Sequence, residues 1–136
     1  MTTIAYKSGV MACDSQISGG FISTCPDKVI LGKCAVGFTG DYVAGYQGAL
    51  FLAGESQERP DYAEDDTEYI VVDAGKIWIA DSRLRIAPIG DKFWSIGSGC
   101  AAAMAAMYMG ASAEDAVKIA IKVDEYSGGK VRTYTL

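Results

Sequence analysis

The sequence predicts an α+β fold in which two packed, mainly antiparallel sheets carry helices on their outer faces. Three observations point to it. Short β-branched runs fill the chain before Gly40 and return after Glu68. Helical spacings fall in two separate groups, one after Gly40 and one after Gly97. The resulting order is strands, helix, strands, two helices, strand, so the helix groups cover different sheet faces.

Each element has its local reason. Thr3 to Tyr6 alternates and is β-branched, Ser8-Gly9 turns, and Val10 to Ser15 returns as a strand. Gly19-Gly20 turns into a short strand, Phe21 to Thr24, and Pro26-Asp27 breaks the chain before Lys28 to Leu31. Gly32-Lys33 then leads into Cys34 to Thr39, a nearly continuous apolar run that suits a central strand. Tyr42, Val43, Tyr46, Ala49, Leu50 and Ala53 recur at helical spacing, predicting a helix over Asp41 to Gly54. "ESQERPDYAEDDTE" is acidic and polar and reads as an exposed connection. Tyr69 to Val72 and Lys76 to Ala80 form a hairpin, and Phe93 to Ile96 one more strand. "GSGCAAAMAAMYMGAS" starts a helix that is apolar on every side and is expected to be buried. Ser112-Ala-Glu-Asp is a capping box for the next helix, whose inner face is read as Ala116, Val117, Ala120 and Val123. Lys130 to Leu136 closes as a strand.

Composition narrows the function. A chain of 136 residues predicts a single domain over 1–136, large enough to bury a core without a disulfide or metal staple. The net charge is −5 and no basic cluster stands out, which argues against nucleic acid and acidic membrane surfaces. No basic segment followed by an apolar core opens the chain, and Cys100 to Met109 is too short to span a bilayer. A soluble, cytoplasmic protein is therefore expected. The four cysteines, Cys13, Cys25, Cys34 and Cys100, form no Cys-x-x-Cys pair, and there is no histidine. They read as reduced, mostly buried small hydrophobes, with no metal and no cofactor.

The absence of histidine removes Ser-His-Asp and Cys-His sites. The remaining bases are carboxylates, lysines and the chain's own α-amine. If Met1 is removed, Thr2 carries a hydroxyl and a free amine on adjacent carbons. An α-amine has a reference pKa of about 8, the lowest of any protein amine, and a nearby cation lowers it further. A threonine activated by its own amine is a competent nucleophile. Each candidate residue also has an ordinary reading. Threonine at position 2 is common. Asp14 could be a turn or strand residue, and Lys28 after Pro-Asp a solvated turn lysine. Gly97-Ser98-Gly99 could be a helix cap or anion nest, and Ser127-Gly128-Gly129 a loop before a strand.

Taken in order, these segments resemble a known family. "TTIAYKSGVMACDSQ" resembles the mature start of proteasome β subunits and HslV-type peptidases, members of the N-terminal nucleophile (Ntn) hydrolases. "PDKVILGKCAVGFTGD" is similar to their lysine-bearing strand and oxyanion-hole turn, "SIGSGCAAAMAA" to their Gly-Ser-Gly helix start, and "VDEYSGGKV" to their Asp-x-x-Ser-Gly-Gly segment. The likeness spans nearly the whole chain outside Glu55 to Glu68.

The resemblance implies a four-layer αββα Ntn-hydrolase sandwich, with one helix fewer than usual in one outer layer. It implies Thr2 as nucleophile with its amine as general base, and Lys28 beside it lowering the amine's pKa. Asp14 would pair with Lys28, the Gly40 amide would face the oxyanion, and Ser98, Asp124 and Ser127 would hydrogen-bond the amine or its relay water. The implied reaction is amide hydrolysis of peptide or unfolded protein through an acyl-enzyme ester, by a homo-oligomeric ring. The missing helix falls in the layer that makes ring contacts and borders the chamber in that family, so the resemblance leaves ring size and docking of an ATPase partner open. Compact versions of this kind occur in bacterial and phage genomes, which implies the bacterial cytoplasm or association with a virion. Activation would rest on methionine removal, since no propeptide is read before Thr2. A chain that keeps Met1 would instead be a catalytically silent structural or assembly subunit of the same fold.

Overall fold

A computed structural model describes residues 2–18, 22–25, 27–61 and 66–136. Its elements run β1 (Thr3–Lys7), β2 (Val10–Cys13), β3 (Gln16–Ser18), β4 (Ile22–Thr24), β5 (Val29–Leu31), β6 (Ala35–Thr39), α1 (Tyr42–Leu52), β7 (Glu68–Asp73), β8 (Lys76–Ala80), β9 (Ile86–Ile89), β10 (Phe93–Gly97), α2 (Cys100–Tyr108), α3 (Ala113–Val123) and β11 (Arg132–Thr135). One antiparallel sheet has the order β10-β1-β2-β11 and the other β5-β6-β7-β8-β9, while β3 and β4 form a separate ribbon.

The two-residue period of the strands sorts their side chains into layers. Ile4, Tyr6, Met11, Cys13 and Ile96 from the first sheet meet Val29, Ala35, Ile70, Val72 and Ile77 from the second, forming the core between the sheets. The alternate residues Ala5 and Ala12 face outward onto α2 and α3, where they meet Ala103, Met107, Ala116, Val117 and Ala120. Val36, Phe38, Tyr69 and Val71 face the other way, onto α1. The layers are therefore α2 and α3, the first sheet, the second sheet, and α1. This is a four-layer αββα sandwich, with a single helix in one outer layer among the described residues.

Helix starts follow capping chemistry. Asp41 accepts the Ala44 N–H at 2.8 Å to open α1, and Ser112 accepts the Asp115 N–H at 3.1 Å to open α3. Glu114 and Asp115 lie in the first turn of α3 and Lys122 in the last, each favourable to the helix dipole.

Several expectations need correction. The strand read over Val10 to Ser15 stops at Cys13, because the Asp14 carboxylate binds the backbone N–H groups of Thr3, Gln16 and Gly128. Val123 is 71% exposed and Val43 69% exposed, so neither lies on an inner face. The inner face of α1 is Ala44, Gly45, Gly48 and Ala49. Helix α2 is buried on one stripe, Ala103 and Met107, and turns Ala101, Ala105 and Tyr108 outward. Strand β9 falls in a stretch read without any element, and of the connection read as exposed, Glu68 opens β7, Thr67 is buried, and residues 62–65 lie outside the described residues. The turn at Gly19-Gly20, Phe21 and Pro26 lie outside the described residues.

The alanine seam between the first sheet and α3 leaves little room. Ala116→Leu should destabilise the protein by about 1–3 kcal/mol through overpacking. Val123→Ser should change stability by less than about 0.5 kcal/mol. Urea unfolding midpoints of the two variants test this difference directly.

Candidate active site

Strand β1 starts at one end of the first sheet, and Thr2 stands just before it, 3% exposed. Lys28, just ahead of β5 in the second sheet, reaches into the same place. Its Nζ donates to Thr2 Oγ1 at 2.7 Å, Asp14 Oδ1 at 2.9 Å and the Gln16 carbonyl at 2.6 Å. A lysine ammonium has three hydrogens, and these acceptors match them. Lys28 and Asp14 are 3% and 0% exposed, a depth charged side chains reach only when paired. Asp14 is held in turn by the Thr3 N–H at 3.1 Å and the Gly128 N–H at 3.0 Å. The ion pair is thus fixed from both sheets and from the loop before β11.

A second polar set lies on the other side of Thr2. The Thr2 nitrogen, a backbone amide while Met1 is attached, donates to Ser98 Oγ at 3.3 Å. Ser98 and Ser127 both donate to Asp124 Oδ2 at 2.6 Å. Ser127 Oγ lies 2.7 Å from Thr3 Oγ1, and with its own proton committed to Asp124 it accepts from Thr3. Asp124 also accepts the Tyr126 N–H at 3.2 Å. Partial burial pushes the Asp124 carboxyl up, but hydrogen bonds from Ser127, Ser98 and the Tyr126 N–H outweigh it and hold the group below its ordinary value.

Two glycines let backbone close on this site. Gly97 has φ +97°, and a Cβ there would lie 2.0 Å from the Thr2 carbonyl oxygen. Gly40 has φ +93°, and a Cβ there would lie 2.0 Å from the Asp66 carbonyl oxygen. Thr2, Lys28 and Gly40 line one cleft, together with Gln16, Thr39 and Tyr42. Gly40, Ser98 and Glu68 line an adjoining one. The structure therefore gathers Thr2, Asp14, Lys28, Gly40, Ser98, Asp124 and Ser127 at one end of the sandwich.

Burial pushes the Cys13 thiol up to about 12, and burial also raises Cys25, Cys34 and Cys100. Among the described residues no His, Cys, Asp and Glu side chains gather into a metal-binding group, and no helix is long and apolar enough to cross a membrane.

Sequence reasoning missed Gln16, whose carbonyl takes a Lys28 hydrogen, and Thr3, which extends the Asp124 chain of hydroxyls. Neither carries a signal of its own, since one acts through its backbone and the other sits on an ordinary strand. Gly128 was read only as part of a loop, yet its N–H is a ligand of Asp14.

The architecture is a four-layer αββα sandwich with a threonine hydroxyl beside a buried lysine at one end. No protein-family model matches the chain, and no curated protein is similar to it in sequence. Among solved structures it is similar to BPH of Thiobacillus denitrificans, alone and in complex with epoxomicin. Both comparisons give a TM-score of 0.68 and 21% identity, covering 98% of this chain and 95% and 96% of those. It is also similar to the eukaryotic HslV of Trypanosoma brucei, with a TM-score of 0.69, 19% identity, and coverage of 98% of this chain and 97% of that one. The chain has the HslV-type fold along nearly its whole length.

Two measurements probe the site's electrostatics. Asp14→Asn leaves the Lys28 ammonium buried without its counter-charge and should cost about 3–5 kcal/mol in denaturant unfolding. Asp124, with its folded pKa depressed, contributes stability that is present above its ordinary value of 3.8 and is lost as pH falls through the lower folded value. Asp124→Asn should therefore reduce stability at neutral pH and flatten its decline below about pH 4.

Proposed function

We propose that this protein is an N-terminal threonine peptidase or amidohydrolase, active once Met1 is removed, that works as a homo-oligomeric ring. The observation that carries the reading is Lys28 Nζ, 2.7 Å from Thr2 Oγ1 and paired with the buried Asp14.

Removal of Met1 turns the Thr2 nitrogen into an α-amine. The Lys28 cation lowers that amine's pKa, so it is neutral and basic near pH 7. The amine takes the Thr2 hydroxyl proton, directly or through a water, while Lys28 stabilises the charge growing on Oγ1. Oγ1 attacks the amide carbon, and the Gly40 N–H donates to the oxyanion. The amine then passes its proton to the leaving nitrogen, and the C–N bond breaks to give an ester on Thr2. Water, activated by the same amine, hydrolyses the ester. Ser98, anchored on Asp124 with Ser127, orients the amine for each transfer. The substrate is peptide or unfolded protein, and the bacterial cytoplasm is the expected setting. Val43 on α1, together with Tyr108 and Met109 at the end of α2, supplies exposed apolar surface for contacts between copies.

Several outcomes follow in a preparation shown by intact mass to lack Met1. Thr2→Ala should abolish hydrolysis. Thr2→Ser should keep part of it, because the hydroxyl stays and only the methyl's rotamer restraint goes. Lys28→Ala should lower the rate about a hundredfold or more. Epoxomicin, the compound bound in one of the structurally similar proteins, should label Thr2 alone. Light scattering at micromolar concentration should show an oligomer. A preparation lacking Met1 that neither labels nor cleaves a peptide panel would make the protein a catalytically silent assembly subunit instead.

A further inference from the structure

Lys28 stands just ahead of β5, and Cys25 and Asp27 before it are held by side chains outside the catalytic set. Arg132 Nη1 donates to the Cys25 carbonyl at 2.5 Å. The Tyr134 hydroxyl donates to Asp27 Oδ1, and the Tyr42 hydroxyl to the Asp27 carbonyl at 3.1 Å. Cys25 N–H meets the Ser15 carbonyl at 3.0 Å, and Phe38 N–H meets the Lys28 carbonyl at 3.0 Å. Arg132 and Tyr134 are two residues apart on β11, so they share one face of the first sheet. Tyr134 packs against the core between the sheets. Arg132 is paired with Cys13, next to Asp14.

We infer that Arg132 and Tyr134 are positioning residues of the proposed reaction. They hold the Cys25 carbonyl and the Asp27 carboxylate in a clamp so that Lys28, next to Asp27, delivers its ammonium to Thr2. The inference rests on the threonine-hydrolase reading and adds the last strand to the site. The physical reason is leverage. Consecutive Cα atoms are about 3.8 Å apart, so a shift of Asp27 moves the root of the Lys28 side chain almost equally. Misplacement of a catalytic group by about 1 Å can cost a hundredfold in rate. The Tyr134–Asp27 contact is a hydrogen bond to a carboxylate, the stronger kind. Burial and then the Asp27 carboxylate push the Tyr134 hydroxyl well above its ordinary range, so it stays a donor across the working pH.

The test uses Tyr134→Phe, which removes one hydroxyl and keeps the ring, and Thr133→Ala, an exposed control on the same strand. In protein lacking Met1, Tyr134→Phe should lower kcat about ten- to a hundredfold with KM unchanged. It should also move the acid limb of the kcat/KM profile to higher pH, because a Lys28 displaced from Thr2 no longer depresses the amine. Arg132→Met should act in the same direction, and Arg132→Lys should restore part of the loss. Thr133→Ala should match the wild type. A lower thermal midpoint in Tyr134→Phe with kcat and pH profile unchanged would overturn the inference. Should the wild type neither label nor turn over, the threonine-hydrolase reading fails by itself. The clamp is then decided by nitrogen-15 NMR of the lysine ammonium groups. Tyr134→Phe should speed hydrogen exchange at Lys28 Nζ about tenfold, and unchanged exchange would overturn the clamp.

Discussion

A lysine ammonium and a carboxylate meet 2.9 Å apart beneath the start of β1, with 3% and 0% of their side chains exposed. Removing two charges from water costs several kcal/mol each unless every polar atom is satisfied. Here Lys28 donates to a hydroxyl, a carboxylate and a carbonyl, and Asp14 collects backbone N–H groups from Thr3, Gln16 and Gly128. The pair thereby ties together the start of β1, the end of β2, the lead into β3, the lead into β5 and the loop before β11. Each segment has to adopt its own local conformation for the charges to be tolerated.

The sandwich supplies the convergence that this arrangement requires. Thr2 lies opposite the end of β10, since Thr3 pairs with Gly97. Gly37 on β6 faces Ile4 across the interface, so the ends of β6 and β10 flank the start of β1. Both strands finish in a glycine-containing turn, at Gly40 and at Gly97. These turns bring backbone and short hydroxyl side chains to Thr2 without a large side chain between them. One sheet presents the threonine, the other presents the lysine, and the turn before α2 presents Ser98. Two packed sheets are needed because no single element could bring these groups together.

How much of this was legible depends on whether a residue acts through its side-chain type or its backbone. The layer order could be read from alternation and helical spacing, because both report which face is buried. Asp14 was conspicuous as an acid inside an apolar run. Lys28 was not, since nothing near Pro26-Asp27 separates a buried lysine from a solvated one, and only the likeness to a known pattern singled it out. Gln16 and Gly128 act through main-chain atoms and leave no trace in residue type. In α2 every residue but a few is alanine or methionine, so no period distinguishes its buried stripe from the exposed one. Strand β9 was hidden by Arg83, Arg85 and Pro88, which together resemble a connection.

Pro88 has a consequence for how copies of this chain can meet. Strand β9 is an outer strand of the second sheet, and Pro88 pairs inward with Trp78. Proline has no N–H to offer a neighbouring strand. The opposite edge, β5, runs only from Val29 to Leu31, too short to template much pairing. Sheet-to-sheet growth, the route by which exposed edges lead to aggregates, is therefore blunted on both sides of this layer. Any strand pairing between copies would have to use the first sheet, whose edges are β10 and β11.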